Sequence, residues 1–193
     1  EVASEMAVKS IEKALEKPVS DPLLALHQAV LDANRAIYAN AQDDITRQGM
    51  GTTVTSAWIK GNKLFLAHVG DSRAYLIRNG SIKLLTDDHS YVGELIRSGN
   101  LTEKQAQNHP QRNVLMRAVG ADAHIDIDLL EVNLEAGDYL LLCTDGLSNL
   151  VTGEEMLNSV LQEDSLEKSI DNLVELAYDR GASDNLTVII VQF

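Results

Sequence analysis

The segment 138–149 constrains the fold more than any other part of the chain. It contains an unbroken apolar run, Tyr139–Cys143, which has the length of a strand and the composition of a strand buried on both faces. Asp145 follows closely, and the next residue, Gly146, has the backbone freedom that a sharp exit from such a strand needs. A carboxylate at the edge of a buried strand costs free energy unless a cationic group meets it. We therefore expect a cation near Asp145.

Two further segments combine an apolar run with an aspartate. The run Leu64–Val69 leads to Asp71, and Asp184 precedes the run Leu186–Val191. We predict that Asp71, Asp145 and Asp184 converge on bound divalent metal, because carboxylate oxygens are the ligands that Mg²⁺ and Mn²⁺ prefer. Two carboxylates at about 4 Å repel by roughly 4 kcal/mol at an effective dielectric constant near 20, and a cation between them turns this repulsion into attraction.

Each of these aspartates also has a structural explanation. Asp145 with Gly146 could form an ordinary turn. Asp71 could belong to a hairpin turn, residues 71–73, with a local ion pair, and Asp184 could lie in a loop whose side chains cap neighbouring amides. The residue types and their spacing leave both interpretations open.

Composition limits the classes of protein to which the chain can belong. Its 193 residues fit one domain better than two. With a formal net charge of -13 at pH 7, a nucleic-acid backbone or an anionic membrane is an unfavourable partner. Cys143 is the one cysteine, so no disulfide framework can form, and we predict that it is a buried core residue in a protein of a reducing compartment. No apolar run approaches the ~20 residues of a membrane span.

The order of the predicted elements differs from a repeating βαβ pattern. Hydrophobic periodicity predicts helices over 3–15, 22–42, 91–98, 102–108, 152–161 and 166–178, and strands over 52–59, 63–69, 74–78, 81–85, 125–132, 139–143 and 186–193. The first helix is predicted to stop before Pro18, and the polar segment 43–48 to close the second. Asn79-Gly80 predicts a turn that joins strands 74–78 and 81–85 in a hairpin. This order favours antiparallel sheets with helices outside them, an α+β layered sandwich in a single domain, 1–193. The polar insertion at about 90–117 is predicted to be a mobile flap.

Five short segments occur in a fixed order along the chain. They are Gly51-Thr52-Thr53, Gly70-Asp71-Ser72-Arg73, Asp88-His89, Thr144-Asp145-Gly146-Leu147 and Ser183-Asp184-Asn185-Leu186-Thr187. Together they resemble the signature blocks of the metal-dependent protein serine/threonine phosphatases of type 2C, in their compact bacterial form. Any one segment is a weak signal, but five in register over essentially the whole chain are hard to obtain by chance.

The resemblance implies a layered α/β/β/α fold, in which helices flank a central antiparallel β-sandwich. It also implies two Mn²⁺ or Mg²⁺ ions at one end of the sandwich, with a third, weaker site. Asp145 and Asp184 match the aspartates that bind the second metal, and they are the predicted catalytic residues. Asp71 matches the acidic residue that holds the third metal together with Asp145. The flap, about 90–117, would tune the access of substrate.

Two features depart from the family pattern. The family's first half-motif supplies the metal-bridging aspartate, an acidic ligand and a phosphate-binding basic residue. It has no counterpart in the chain and is expected before Glu1. We therefore expect these residues alone to hydrolyse phosphate esters poorly. Asn149 stands where many relatives carry an acidic ligand of the third metal, and a neutral amide is expected to weaken that site.

The implied activity is hydrolysis of phosphoserine and phosphothreonine on proteins. Two metals can share a water and clamp the oxygens of a phosphoryl group, so that the water attacks phosphorus in line. The implied partners are phosphorylated proteins, a serine/threonine kinase and its substrates, in the cytoplasm, with the protein a monomer. Two alternatives stay open: a phosphatase-like regulatory or binding module without activity, and a structural domain whose aspartates only form turns.

Several other residues have a chemically suggestive type. A histidine base would suit the cleavage of a phosphate ester, but we predict that His68 packs in the interior and that His89 organises its loop through hydrogen bonds. Trp58 is predicted to be a packing residue. Arg112 and Arg117, in the flap, could meet a phosphopeptide, although solvated surface charge is the simpler interpretation.

Overall fold

The computed structural model describes residues 1–16, 19–106 and 109–193. The chain divides into two compact units, Glu1–Gly70 with Asp88–Asn133 and Asp71–Asp87 with Leu134–Phe193. Within the described ranges, each unit contains one antiparallel sheet and its own helices. The organisation of the chain as a single domain stays a prediction.

The helices and strands follow the predicted order. The helices are α1 (Val2–Leu15), α2 (Pro22–Asp43), α3 (Tyr91–Arg97), α4 (Glu103–Ala106), α5 (Asp145–Ser148), α6 (Gly153–Gln162) and α7 (Leu166–Asp179). The strands are β1 (Val54–Lys60), β2 (Lys63–Val69), β3 (Arg73–Arg78), β4 (Ser81–Leu84), β5 (Asp128–Asn133), β6 (Tyr139–Cys143) and β7 (Val188–Gln192). Helix α5 was not predicted. The predicted stop at Pro18 and the end of the predicted helix 102–108 lie outside the described residues.

Helix α2 begins where the sequence signals place its start. Pro22 occupies the first helical position, and the Asp21 side chain accepts a hydrogen bond of 3.2 Å from the Leu24 N–H. One face of the helix is buried in the core of the first unit: Leu26, Ala29, Val30, Ala33, Ile37 and Ala41. A single 3-10 turn, Ile45–Arg47, follows the helix where only a polar loop was expected.

The sheet of the first unit has the strand order β1-β2-β5 and is antiparallel throughout. β2 lies in the middle and is buried from Leu64 to Val69, which explains its continuous apolar run. Trp58 packs against the core, as predicted. The prediction that β5 starts at 125 was wrong. Ile125 and Ile127 pack against the core without pairing in the sheet, so their alternation reflects burial rather than a strand.

The sheet of the second unit has the strand order β4-β3-β6-β7, also antiparallel. At the tip of the β3–β4 hairpin, Asn79 and Gly80 have φ angles of 51° and 72°. Two left-handed residues in succession form the turn that matches the twist of the flanking strands, as the Asn-Gly pair predicts. β6 is paired on both sides, and Leu140 and Leu141 are fully buried. The prediction of a strand buried on both faces is confirmed.

Helices α6 and α7 pack on the second unit's own core. Its buried members are Tyr75, Ile77, Leu141, Cys143, Leu147, Val151, Met156, Val160, Leu173 and Ala177. Cys143 is thus a core residue, as predicted. Between the two helices, Ser159 and Ser169 each donate a hydrogen bond of 3.0 Å from Oγ to the carbonyl oxygen of the other. These exchanges satisfy the polar groups of a buried helix contact.

Glu155 secures the start of α6 in two ways. It forms a capping box with Thr152, and it forms an ion pair with Arg180. The hydrogen bond from Arg180, followed by those from Thr152, lowers the pKa of Glu155 from its ordinary value of 4.5 to about 2. The pKa of Glu155 is lower in the folded state than in the unfolded state. Its ionised carboxylate therefore makes its full contribution to stability at pH values above the unfolded-state pKa. The contribution is lost as the pH falls towards the folded-state value.

We expect Glu155→Gln to lower the free energy of unfolding at pH 7 by about 1 kcal/mol, a value that allows for the partial exposure of the ion pair. The variant loses the charge, but glutamine can still form the capping box. Urea denaturation of both proteins at pH 7 and pH 3 measures the difference. It should shrink at pH 3, and an equal difference at the two pH values would refute the assignment.

Candidate metal centre

The three aspartates predicted to bind metal all lie in the second unit, at the same end of its sheet. Arg73 in β3 pairs with Cys143 in β6, and Cys143 pairs with Val188 in β7. Asp71 therefore stands two residues before the start of β3, and Asp145 stands two residues after the end of β6. Asp184 precedes the start of β7 by four residues. The topology brings three positions that are far apart in the sequence to the same end of the sheet.

The strand order places Asp145 between the other two aspartates. β6 lies between β3 and β7, and neighbouring strands are about 4.8 Å apart. Asp145, which follows the middle strand, is therefore closer in the strand order to each of the other two positions than they are to each other. Asp71 and Asp184 precede β3 and β7, two strands that are two spacings apart, roughly 10 Å. A cation shared by two aspartates should thus involve Asp145.

Asp145 is half-buried and is the first residue of the short helix α5. The Asn149 side-chain amide donates a hydrogen bond of 3.3 Å to Asp145 Oδ2. An acidic residue at position 149 would repel this carboxylate instead. Asn149 therefore orients Asp145, a role that sequence reasoning missed.

The loop that carries Asp184 packs closely against the start of α5. A Cβ atom on Gly146 would lie 2.5 Å from the carbonyl oxygen of Asn185, so no larger residue fits there. The Thr144 N–H donates a hydrogen bond of 3.1 Å to the carbonyl oxygen of Thr187. Asp184 itself is exposed, and its Oδ1 accepts a hydrogen bond of 2.7 Å from the Asn185 N–H.

A divalent cation suits the donor atoms at this end of the sheet. Mg²⁺ is commonly held by one or two carboxylates, with water and substrate phosphate oxygens completing its shell. Among residues 1–16, 19–106 and 109–193, no three His, Cys, Asp or Glu side chains are grouped so as to hold an ion together. The assignment of Asp71, Asp145 and Asp184 as ligands stays a prediction.

His68 and His89 form a buried pair in the first unit, with ring centroids 4.9 Å apart. His89 Nδ1 accepts a hydrogen bond of 3.1 Å from the Gly70 N–H, and Nε2 lies 3.1 Å from Asp128 Oδ2. His89 thus connects the backbone at Gly70 to the Asp128 carboxylate. The predictions that His68 packs in the interior and that His89 organises its loop are confirmed.

The flap segment contains two short helices, α3 and α4, and belongs to the first unit. The Ser90 side chain caps α3, as an acceptor for the Gly93 N–H at 3.1 Å. Arg117 forms an ion pair of 3.0 Å with Asp128, whereas Arg112 is exposed. An open cavity of about 420 Å³ lies beside this segment. It is lined by His89, Ser90, Glu94, Arg97, Met116, Arg117, Ala118, Asp122, His124, Ile125 and Asp126.

No helix within the described ranges combines the length and the hydropathy that a bilayer crossing requires.

The sequence matches a family of known proteins along almost its whole length. The family model for protein phosphatase 2C matches residues 1–190. The serine/threonine phosphatase stp of Listeria welshimeri is 36% identical over 199 aligned positions, which cover 100% of this chain and 78% of that protein. The serine/threonine protein phosphatase PstP of Mycobacterium tuberculosis is 38% identical over 192 positions, which cover 98% of this chain and 37% of that protein. The chain belongs to the protein phosphatase 2C family.

Solved structures agree with this assignment. The serine/threonine phosphatase Stp1 from Staphylococcus aureus superimposes with a TM-score of 0.94 at 34% identity, over 100% of this chain and 77% of that chain. The catalytic domain of PstP in complex with two manganese ions gives a TM-score of 0.89 at 35% identity, over 99% of this chain and 80% of that chain. The predicted α+β class, with antiparallel sheets and flanking helices, and the predicted family are both confirmed.

Proposed function

We propose that this protein is a divalent-metal-dependent phosphatase that removes phosphate from phosphoserine and phosphothreonine in other proteins. The observation that carries the proposal is the position of Asp71, Asp145 and Asp184 at one end of one sheet, in a chain of the protein phosphatase 2C family. The manganese ions bound by the PstP catalytic domain support Mn²⁺ or Mg²⁺ as the cofactor.

In this proposal Asp145 and Asp184 hold one cation, and Asp145 with Asp71 holds a weaker one. Bound divalent cations lower the pKa of water and stabilise negative charge on phosphoryl oxygens. The chain contributes carboxylates at the ends of paired strands, which keep their oxygens in place, and the Asn149 amide that orients Asp145. No covalent phosphoenzyme is needed, and Cys143 lies in the core of the second unit.

The same proposal places the reaction in the cytoplasm, where the protein would act as a monomer and oppose a serine/threonine kinase. Its substrates would be the proteins that this kinase phosphorylates. The net charge of -13 supports protein substrates over nucleic acids or anionic membranes, since like charges repel.

A second candidate function is a phosphatase-like module that binds phosphoproteins without hydrolysing them. The observation that favours it is that no three-carboxylate group is present among the described residues. Such a module would still recognise phosphoprotein but would bind metal weakly.

Release of phosphate from a phosphothreonine peptide separates the two functions. We expect the full-length protein to release phosphate with Mn²⁺ or Mg²⁺, to lose this activity in EDTA and to regain it when Mn²⁺ is restored. A phosphotyrosine peptide of the same sequence serves as the control and should be a poor substrate. Peptide binding without phosphate release would favour the second function. No release and no effect of Mn²⁺ on the melting temperature would contradict the proposal.

A further inference from the structure

The Thr144 side chain has an unusual position for the residue that precedes a helix. A threonine at this place normally uses its hydroxyl to accept a hydrogen bond from an N–H in the first helical turn. Thr144 makes no such bond with α5. Instead its Oγ1 accepts a hydrogen bond of 3.0 Å from the Thr187 N–H, and it donates a longer one of 3.4 Å to the carbonyl oxygen of Asn185.

The Thr144 hydroxyl takes the place of the backbone carbonyl oxygen that would otherwise continue the pairing of β6 with β7. The Thr144 N–H still pairs with the Thr187 carbonyl oxygen, at 3.1 Å, as in a continued β6–β7 ladder. The Thr144 carbonyl oxygen, however, accepts hydrogen bonds from Leu147 and Ser148 at the start of α5. It is therefore directed into the helix, and the Thr187 N–H would lack a ladder partner. Because a hydroxyl can accept and donate at once, Oγ1 serves both Thr187 and Asn185.

These contacts lie between two of the aspartates. Thr144 directly precedes Asp145, and Asn185 directly follows Asp184. We propose that Thr144 is a positioning residue, whose hydroxyl holds the Asp184 loop against the end of β6 and thereby sets the separation of the carboxylates of Asp145 and Asp184. This inference rests on the proposed function, because it concerns the geometry of the proposed metal site.

The test compares Thr144→Val, which replaces the hydroxyl by a methyl group of similar size, with Thr144→Ser, which keeps the hydroxyl. The backbone pairing of residue 144 does not depend on the side chain, so both variants should keep β6 and β7 paired. Groups that orient a metal ligand typically change metal affinity by 10–100-fold. We expect Thr144→Val to weaken Mn²⁺ binding by about tenfold, as measured by electron paramagnetic resonance, and Thr144→Ser to remain within about twofold of wild type.

Hydrogen exchange of the Thr187 amide in metal-free protein tests the contact independently of metal. We expect protection in the wild type and in Thr144→Ser, and faster exchange in Thr144→Val. An unprotected Thr187 amide in the wild type would overturn the inference even if Thr144→Val failed to fold. So would wild-type Mn²⁺ affinity in Thr144→Val, or an equal loss in Thr144→Ser, while the proposed function would stand. A wild-type protein that binds no Mn²⁺ would overturn both.

Discussion

Asp145→Asn is expected to lower Mn²⁺-stimulated phosphate release by at least about 100-fold, because losing a direct ligand should cost more than the 10–100-fold lost with a group that only orients one. Asparagine has nearly the same shape, so the fold should survive. The middle position of β6 makes Asp145 the residue that both proposed cations share. The measurement is kcat/KM of the full-length protein for a phosphothreonine peptide, with circular dichroism to confirm folding.

Asp71 and Asp184 supply the matched comparisons, since each is associated with a strand on only one side of β6. We expect Asp184→Asn to reduce kcat/KM strongly, and Asp71→Asn to act mainly on the weaker site, with a smaller loss at saturating Mn²⁺. Near-wild-type turnover of Asp145→Asn would remove this residue from the site. A larger effect of Asp71→Asn than of Asp145→Asn would contradict the central role of Asp145.

Asp138→Ala is expected to lower the free energy of unfolding by about 3 kcal/mol, because it removes a buried carboxylate with several partners. Asp138 accepts hydrogen bonds from Arg78 Nε at 2.8 Å, from Arg78 Nη2 at 2.6 Å and from the Glu135 N–H at 2.7 Å. The hydrogen bonds from Arg78 outweigh the effect of burial and hold the pKa of Asp138 below its usual value. Urea denaturation at pH 7 measures the loss.

Glu135→Gln is the control for this prediction. Glu135 forms an ion pair of 2.8 Å with the same arginine, but its side chain is 62% exposed. Exposed pairs contribute little, so we expect a change within about 0.5 kcal/mol. Similar losses in the two variants would show that burial is not what distinguishes the two carboxylates.

Much of the sheet that carries the candidate site was predictable from local sequence. β6 was predicted because a buried strand needs an uninterrupted apolar run, and β3 with β4 because Asn79-Gly80 suits one kind of hairpin turn. The aspartates at the strand ends were found by the same reasoning, since an abrupt carboxylate after an apolar run is visible without a structure. Their location at the same end of the sheet follows from the antiparallel pairing of the strands, which the residue pattern alone does not specify.

Helix α5 was missed because four residues are too few to show helical periodicity. Its second residue is Gly146, which disfavours helix on intrinsic propensity. From the sequence, that glycine was expected to allow a sharp exit from β6. A glycine is required at this position because the Asn185 carbonyl oxygen approaches it closely, a contact between segments about 40 residues apart. This contact becomes visible only when the distance between the two segments is known.

The contacts that orient functional groups were the least predictable. Thr144 belongs to a recognisable motif, but nothing near it in the sequence indicates that its hydroxyl accepts a hydrogen bond from the Thr187 N–H. Similarly, the pairing of His89 with Gly70 joins residues 19 positions apart. Residue types reveal which groups can form hydrogen bonds, whereas the partner depends on how the chain folds back.

The placement of β6 between β3 and β7 has an evolutionary consequence. In the proposed metal site, a lineage that replaced Asp71 or Asp184 would retain one pair of ligands that includes Asp145, and with it some affinity for a divalent ion. A lineage that replaced Asp145 would lose both pairs in one step. Gradual drift from an enzyme towards an inactive scaffold should therefore begin at the flanking strands, with the residue on the central strand among the last to change.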